Sequence, residues 1–239
     1  MTRMSWAARC GSTRPRTRRA IDRAGARGGP ATMGVWQDMP AVEAEITALD
    51  FETTGSVPGW PVEPWQIGLV RVRGGRVVES SRVSLLLRIA AGRPFNAHAP
   101  GRHAHLREAL ACAPPLAEQW FSLTEAWLAG RPLAAHNVGT ERTVLRRAAP
   151  LHPLGPWIDT LALTRLAYPG LPDYGLEAVI GGLGLEGRLR EVSPQGQAHD
   201  AGYDACACAV LLEHLLALPR WKRVTLGALA VPVARKAVG

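Results

Sequence analysis

The sequence predicts an α/β domain with a mixed β-sheet. Three β-rich runs follow one another between residues 45 and 88, and short apolar runs then alternate with helical segments as far as residue 218. Successive strands joined by tight turns pair in an antiparallel arrangement, whereas strands that alternate with helices pair in parallel. A sheet that contains both kinds of connection is mixed.

The first three strands are predicted at 45–51, 65–73 and 76–88. Each run is rich in β-branched or other apolar residues and is bounded by turn-forming residues. Gly74 and Gly75 separate the second run from the third, and two glycines in this position are typical of a two-residue hairpin turn. We therefore expect an antiparallel hairpin in this part of the sheet.

The rest of the domain is predicted to alternate between helices and two short strands. An irregular segment rich in His, Pro and Gly at 96–115 contains one short helix at 106–111. The other helices are placed by apolar spacing and by Gly or Pro at their ends. They are expected at 116–128, 140–148, 161–167 and 176–183, and the segment 199–218 is expected to end in a long apolar helix. Strands are expected at 132–136 and 157–159.

The composition is that of a folded protein with a positive net charge. The 239 residues are 47% hydrophobic and carry 28 basic and 20 acidic side chains, for a net charge of +8. This balance excludes wholesale disorder, and no uncharged apolar run approaches the roughly 18 residues of a membrane-spanning helix. Cys206 and Cys208 fall in an apolar helical stretch and are expected to be buried thiols rather than a metal pair. We expect a soluble protein of the reducing cytoplasm with no membrane partner.

The positive charge is concentrated at the N-terminus. Residues 1–39 contain eight arginines against Asp22 and Asp38 and lack apolar periodicity, which predicts a basic, disordered arm. Three interpretations are open: a nucleic-acid-binding arm, a transit peptide, or sequence translated from a start upstream of the true one, with Met33 and Met39 as alternatives. We therefore divide the chain into the arm at 1–39, one domain at 40–218 and a C-terminal tail at 219–239.

The strongest chemical signal is the six-residue run D-F-E-T-T-G at 50–55. Side chains alternate along a strand, so Asp50 and Glu52 share one face and Phe51 occupies the other. Two carboxylates held so close repel each other unless a cation or a proton lies between them. The pair predicts either a metal site at the end of the first strand or an exposed strand end with two solvated acids.

A second group of polar residues, H-D-A-G-Y-D, lies at 199–204. On one helix, His199 and Asp204 would lie about 140° apart and could not converge. We therefore expect His199 in the loop before the helix and Asp204 within the first two helical turns. Asp200 is expected to cap the helix N-terminus rather than to bind a metal.

These motifs resemble those of the DnaQ-like 3′–5′ exonucleases, also known as the DEDD superfamily. D-F-E-T-T-G is similar to the first motif of that family, and H-N-V-G-T-E at 136–141 is similar to the second, H-N-x-x-F-D. The His-x4-Asp of 199–204 is similar to the third motif of the histidine (DEDDh) branch, and W-I-D-T-L at 157–161 resembles its D-T-L step. Glu141 stands where the family usually has Asp. Within the superfamily, the chain resembles the proofreading exonucleases of bacterial DNA polymerase III.

The resemblance implies an RNase H-like fold, with a mixed five-stranded sheet and helices on both faces. It also implies phosphodiester hydrolysis with two Mg²⁺ or Mn²⁺ ions, which suit carboxylate ligands. The implied metal ligands are Asp50, Glu52, Glu141 and Asp204. The implied catalytic residues are these four acids and His199, which would take the proton from the attacking water. The implied substrate-binding residues are Phe51, Thr53, Thr54, His136 and Asn137.

The implied substrate is a single-stranded or frayed 3′ end, with DNA favoured and nucleoside 5′-monophosphates as products. A DNA polymerase is a candidate partner, and the sequence makes no prediction of the oligomeric state. Two alternatives stay open. One is an exoribonuclease that trims RNA 3′ ends, and the other, from a different class, is an inactive nuclease fold that only binds nucleic acid.

Overall fold

The computed structural model describes residues 36–99, 101 and 103–230. These residues contain a five-stranded sheet with the strand order β3-β2-β1-β4-β5. The strands are β1 Ile46–Thr53, β2 Pro64–Arg73, β3 Arg76–Leu86, β4 Leu133–Ala135 and β5 Trp157–Asp159. β1 pairs antiparallel with β2, and β2 pairs antiparallel with β3, whereas β4 runs parallel to both β1 and β5. The predicted mixed sheet is confirmed.

Two glycines make the turn between β2 and β3. Gly74 and Gly75 have φ angles of 61° and 69°, which glycine adopts without the steric cost that a Cβ would bring. Arg73 and Arg76 pair directly across the turn. The predicted hairpin is therefore present with the predicted turn.

Helices connect the later strands and cover the sheet. They are α1 Arg107–Cys112, α2 Leu116–Leu123, α3 Gly139–Ala148, α4 Thr160–Ala167, α5 Leu176–Gly182, α6 Glu186–Val192, α7 Ala201–Ala217 and α8 Leu226–Leu229. Short 3₁₀ helices lie at Ala41–Glu43, His103–Leu106 and Pro219–Trp221. Among the residues that the structure describes, no helix combines the length and the apolar composition needed to cross a bilayer.

The helices differ from the prediction in three places: at 116–128, at α6, and at α8, which lies in the expected C-terminal tail. The helix expected at 116–128 ends at Leu123, and the chain continues as a π-helical turn that carries Trp127 and Leu128 into the core. Helix α6 was not predicted, because only Leu189 and Val192 of its residues are buried. Two apolar positions are too few to produce a helical periodicity.

Two apolar clusters lie on opposite faces of the sheet. Ala48 of β1 belongs to one cluster, whereas Leu49 and Phe51, one and three residues further along the strand, belong to the other. This is the alternation expected of side chains along a strand. Helix α7 packs against β1, β2 and β3 on the Ala48 face. Asp50 and Glu52 continue that face, so they point toward α7.

The cysteines of α7 are core residues. Cys206 and Cys208 are free and buried in the cluster on the Ala48 face. Burial raises the pKa of Cys206 to about 11, so this thiol stays protonated at neutral pH. The prediction of buried thiols rather than a metal pair is confirmed for these two residues.

The packed part of the chain extends beyond the expected domain boundaries at 40 and 218. The carbonyl oxygen of Met39 accepts a hydrogen bond from the N–H of Leu226 at 2.9 Å, and Leu226 and Trp221 are buried against α7. The two ends of the domain therefore pack on each other, a long-range contact that no local pattern reveals. The remaining parts of the expected arm and tail, 1–35 and 231–239, lie outside the described residues.

Candidate active site

Asp50 and Glu52 lie at the C-terminal end of β1, beyond the point where β4 pairs with it. The β4 pairing involves Thr47 and Ala48, so the two acids extend past the end of β4. On the other side of β1, Glu52 lies opposite Gln66 of β2. Glu52 is only 6% exposed.

A glycine in β2 lets α7 approach these acids closely. A Cβ at Gly68 would lie 1.8 Å from the carbonyl oxygen of Ala201, the first residue of α7. Any side chain at this position would displace the start of the helix. Gly68 therefore permits the close packing of β2 on the start of α7, the helix that carries the third motif.

Asp200 caps α7 and ties it to β2. Its Oδ1 accepts hydrogen bonds from the N–H groups of Gly202 at 3.0 Å and Tyr203 at 3.3 Å, which confirms the predicted N-cap. Its Oδ2 accepts a hydrogen bond from Nε2 of Gln66 at 2.8 Å. The Oε1 of Gln66 in turn accepts from the N–H of Ala201 at 3.4 Å. One glutamine of β2 thus holds the first turn of α7 in place.

His199 lies in the loop before α7, as its spacing from Asp204 predicts. Its backbone N–H donates a hydrogen bond to Oδ2 of Asp204 at 3.0 Å, and Asp204 is in the first turn of the helix. Potential ligand atoms of Glu52, His199 and Asp204 all lie within 4.8 Å of one another. The first and third motifs therefore meet at one point.

Glu141 reaches the same region from the first turn of α3. Its side chain is 4% exposed, and its Oε2 has no hydrogen-bond partner among the described residues. A buried carboxylate oxygen without a donor is costly, and burial is the main reason that the pKa of Glu141 is raised to about 7. A cation at this oxygen would remove that cost.

The acids of this region resist ionisation. Burial, and then the charges of Glu141, Asp204 and Glu52, hold the pKa of Asp50 well above its ordinary value. Burial and the neighbouring Asp204 raise the pKa of Glu52 to about 7. Burial also raises the pKa of Asp204 to about 6.

This donor set fits a divalent metal ion. Carboxylate oxygens are the ligands that hard divalent cations prefer, and a bound cation would offset the mutual repulsion of the acids. Ligand atoms of Glu52, His199 and Asp204 lie close enough together to hold such an ion. Asp50 and Glu141, whose Oε2 has no hydrogen-bond partner among the described residues, line the same region.

One cavity of about 340 Å³ brings the predicted site residues together. The predicted residues in its lining are Asp50, Phe51, Glu52, Thr53, His136, Asn137, Glu141, His199 and Asp204. The ring of Phe51 is packed in the cluster on the opposite face of the sheet, so this residue meets the cavity through its backbone. We call this cavity the pocket. The roles of these residues in catalysis stay predictions.

Thr54, which is also in the predicted substrate-binding set, does not line the pocket. Its side chain is fully buried, and its hydroxyl accepts hydrogen bonds from the N–H of Glu63 at 3.1 Å and from Nη2 of Arg93 at 3.2 Å. Its backbone N–H donates to the carbonyl oxygen of Glu63 at 2.8 Å. Thr54 therefore supports the wall of the pocket instead of presenting its side chain to a substrate.

His136 and Asn137 line the pocket, but the ring of His136 is already hydrogen-bonded within the protein. Its Nε2 donates to the carbonyl oxygen of Tyr174 at 2.8 Å, and its Nδ1 lies 3.0 Å from the hydroxyl of Thr160. Burial lowers the pKa of His136, which favours the neutral imidazole. Asn137 has a φ of 70°, and its N–H donates to Oδ1 of Asp159 at 3.0 Å. The second motif thus joins β4 to β5 and to the segment before α5.

The segment 96–99 forms another wall of the pocket. Asn96 donates its backbone N–H to the carbonyl oxygen of Thr54 and its Nδ2 to that of Ser56, each at 2.8 Å. His98 is exposed at the pocket. From the sequence, His98 is expected either to line a loop near the substrate or simply to be exposed. The contact that places this segment, between Asn96 and Ser56, joins residues 40 positions apart.

A second cavity, of about 560 Å³, adjoins the pocket. It shares Asp50, His136, His199 and Asp204 with the pocket. Its other wall comes from the start of α5 and from the loop before α7, and consists of Asp173, Gly175, Leu176, Glu177, Ala178 and Ala198. The site therefore has space on both sides of the acids.

The sequence of this domain matches a known family. Residues 47–212 match the family model described as Exonuclease, a stretch that begins in β1, ends in α7 and contains every acid of the pocket. The chain belongs to this exonuclease family. No curated protein matches it significantly.

Solved exonuclease structures share the fold. Exonuclease X in complex with 5′-overhanging duplex DNA has a TM-score of 0.54 and 26% sequence identity, over 77% of this chain and 99% of that one. Pop2p of S. pombe in a Mg²⁺- and Mn²⁺-bound form has a TM-score of 0.56 and 14% identity, over 74% and 85% of the two chains. A 3′-exonuclease solved with a histone mRNA stem-loop has a TM-score of 0.54 and 12% identity, over 73% and 82%.

The family and the fold agree with what the motifs imply. The mixed five-stranded sheet is that of the RNase H-like exonucleases, and the chain is an exonuclease of the 3′–5′ class. The comparisons therefore support the resemblance at the level of the DEDD superfamily and its histidine branch.

Proposed function

We propose that this exonuclease hydrolyses nucleic acid from the 3′ end and releases nucleoside 5′-monophosphates in a reaction that needs divalent metal ions. The observation that carries the proposal is the convergence of Glu52, His199 and Asp204 within 4.8 Å. Asp50 and Glu141 line the same pocket. These four acids and His199, which line a single pocket, are the catalytic set that the motifs imply.

The four acids would hold two Mg²⁺ or Mn²⁺ ions. Such ions supply a water-derived nucleophile at neutral pH and stabilise charge on the attacking and leaving oxygens. Asp50, Glu52 and Asp204 would bind the ions directly, since they lie on the facing surfaces of β1 and α7. Glu141 would contribute its unpartnered Oε2. The Mg²⁺ and Mn²⁺ in Pop2p support this choice of metal.

His199 would act as the general base. It is exposed at the pocket, and its backbone bond to Asp204 fixes where the residue lies. Imidazole exchanges a proton in the physiological pH range. The side chain of His199 would therefore take the proton from the attacking water.

The substrate that we favour is a single-stranded or frayed 3′ end of DNA, in proofreading or repair. Exonuclease X, solved with overhanging duplex DNA, is the most similar in sequence of the three structures compared above and is covered almost completely. The 3′-exonuclease solved with a histone mRNA stem-loop supports the alternative, an RNA 3′ end, at lower identity. A DNA polymerase partner, a specific likeness to the proofreading exonucleases of DNA polymerase III, and a cytoplasmic location remain proposals from the sequence.

Digestion of labelled substrates tests the proposed function. Single-stranded and duplex DNA and RNA, each labelled at the 5′ end, are incubated with the protein and Mg²⁺ or Mn²⁺. We expect a ladder of products shortened from the 3′ end, fastest with single-stranded DNA, and no digestion with EDTA. Faster digestion of RNA would support the alternative substrate. Binding without digestion of either nucleic acid would favour the inactive binding module.

A further inference from the structure

The loop between β1 and β2, residues 54–63, carries an exposed tryptophan beside the pocket. Trp60 is 49% exposed, although a side chain of this size and apolarity is usually well buried. The loop begins next to Gly55, which lines the pocket. It then folds back on itself, with the N–H of Trp60 donating to the carbonyl oxygen of Val57 at 3.0 Å. The indole is thus held at the surface close to the pocket.

A buried arginine fixes the position of this indole. The guanidinium carbon of Arg93 lies 4.9 Å from the centre of the Trp60 ring, and Arg93 is 3% exposed. The same guanidinium donates to Oε1 of Glu63 at 3.0 Å and to the hydroxyl of Thr54 at 3.2 Å. A ring supported by a cation that is itself tightly bound is preorganised, so little entropy is lost when a ligand stacks on it.

Helix α3 connects the pocket to the same loop. Thr140 lines the pocket, and Arg147, seven residues later, lies on almost the same side of the helix and about 10 Å further along its axis. Arg147 is exposed, and its Nη1 lies 3.5 Å from the carbonyl oxygen of Val62. A cationic group therefore stands beside the loop that carries Trp60.

We propose that Trp60 and Arg147 bind the single-stranded segment that precedes the 3′-terminal nucleotide. One base of this segment stacks on Trp60, and a phosphate of the segment pairs with Arg147. Aromatic rings stack on every base, and arginine pairs strongly with phosphate. The proposal rests on the proposed function, in which the pocket holds the terminal nucleotide.

Two substrates of different length separate this site from the pocket. The p-nitrophenyl ester of thymidine 5′-monophosphate fills only the pocket, whereas an oligothymidylate of about twelve nucleotides is long enough to reach Trp60. For Trp60→Ala with Mn²⁺, we expect KM for the oligonucleotide to rise about fivefold or more, with kcat and the hydrolysis of the ester unchanged. Arg147→Gln should also raise this KM and should reduce its salt dependence.

Two further variants serve as controls. Trp60→Phe keeps a ring that can stack, so it should restore most of the affinity lost in Trp60→Ala. Phe121→Ala removes another exposed ring, 75% exposed on α2, and should behave as the wild-type protein. If Trp60→Ala raised the KM for the oligonucleotide and also slowed hydrolysis of the ester, the substitution would have damaged the pocket through the loop. That result would overturn the proposal. An unchanged KM would overturn it as well.

A binding measurement distinguishes this proposal from the proposed function. Fluorescence anisotropy of the labelled oligonucleotide, with Ca²⁺ in place of Mn²⁺, reports affinity without turnover. Failure of the wild-type protein to hydrolyse either substrate would count against the proposed function. Weaker binding by Trp60→Ala than by Phe121→Ala would still support the site, and equal binding by these two variants would refute it.

Discussion

The backbone N–H of His199 donates a hydrogen bond to Oδ2 of Asp204 at 3.0 Å, although His199 lies outside the helix that carries Asp204. The φ of His199 is 61°, a left-handed value that Asn, Asp and His adopt more readily than most residues. This turn places residue 199 beside Glu52 and Asp204. A variant at this position must therefore preserve the backbone conformation if it is to test only the side chain.

Replacing His199 tests its assignment as the general base. His199→Asn tolerates the left-handed backbone and keeps the N–H that Asp204 accepts. Loss of the imidazole should lower kcat by about 10²- to 10⁴-fold, the usual contribution of a general base. Mn²⁺ binding, measured by calorimetry, should persist because the carboxylates are unchanged.

The pH profile gives a second test of the same residue. A protonated imidazole cannot accept a proton, so the wild-type rate should fall on the acidic side, and this dependence should change in His199→Asn. An identical rate and an identical profile for the two proteins would exclude His199 as the base.

Three local rules predict how Asp50, Glu52, His199 and Asp200 are placed, whereas Glu141, His136 and Asn137 are implied only by the resemblance of the motifs to the exonuclease family. Alternation along β1 places Asp50 and Glu52 on one face, and the helical repeat shows that His199 must precede the helix of Asp204. Asp200 is predicted as the N-cap because an aspartate just before a helix accepts hydrogen bonds from the unpaired N–H groups of its first turn. Each rule relates residues that are close along the chain.

The surroundings of the site depend on long-range contacts, which no local rule describes. Gln66 holds Asp200 across 134 positions of sequence, and Asn96 joins the loop at Ser56 across 40. The hydroxyl of Thr54 is buried because Arg93, 39 positions away, donates to it. From the sequence alone, Thr54 is indistinguishable from its neighbour Thr53, which lines the pocket.

Ionisation of the buried Glu141 should destabilise the metal-free protein. Burial raises its pKa to about 7, whereas an exposed glutamate has a pKa of about 4.3. Between these values the folded protein binds more protons than the unfolded chain, so the free energy of unfolding should fall as pH rises from about 4.3 to about 7. In Glu141→Gln, which cannot ionise, this fall should be smaller.

Urea unfolding in EDTA at about pH 5 and about pH 7.5 measures this difference. Glu118→Gln, which changes an exposed glutamate of α2, is the control and should retain the wild-type dependence. Mg²⁺ at the higher pH should stabilise the wild-type protein more than Glu141→Gln, since a ligand that binds only the folded state stabilises it. Equal pH dependence in wild type and Glu141→Gln would show that the carboxylate is well solvated.

Two N-terminal truncations should behave differently. Removal of residues 1–35 should leave kcat on short oligonucleotides unchanged, because every residue of the pocket lies after them. Removal of residues 1–39 should also lower the free energy of unfolding, on the order of 1–2 kcal/mol, because two backbone hydrogen bonds are lost. These are the bonds that the carbonyl oxygens of Gln37 and Met39 accept from Gly227 and Leu226.

Urea unfolding and kinetics on one oligonucleotide compare the two truncated proteins with the full chain. Equal stability of the two truncations would show that residues 36–39 add nothing to the fold. A flatter salt dependence of binding after removal of 1–35 would identify the basic arm as a phosphate-binding segment. Unfolding caused by that shorter deletion would contradict the prediction.

The central claim is that Asp50 and the acids around it hold the metal ions for hydrolysis of a 3′ end. The most direct test measures the Mg²⁺-dependent release of a labelled nucleoside 5′-monophosphate from a 3′-labelled single strand. It compares wild type, Asp50→Asn and the control Glu108→Gln, which changes an exposed glutamate of α1. Circular dichroism checks the fold of each protein. We expect release by the wild type and the control, and only background release by folded Asp50→Asn, because loss of a ligand removes the charge stabilisation that the ions provide. Wild-type release by Asp50→Asn, or internal fragments in place of mononucleotides, would contradict the account.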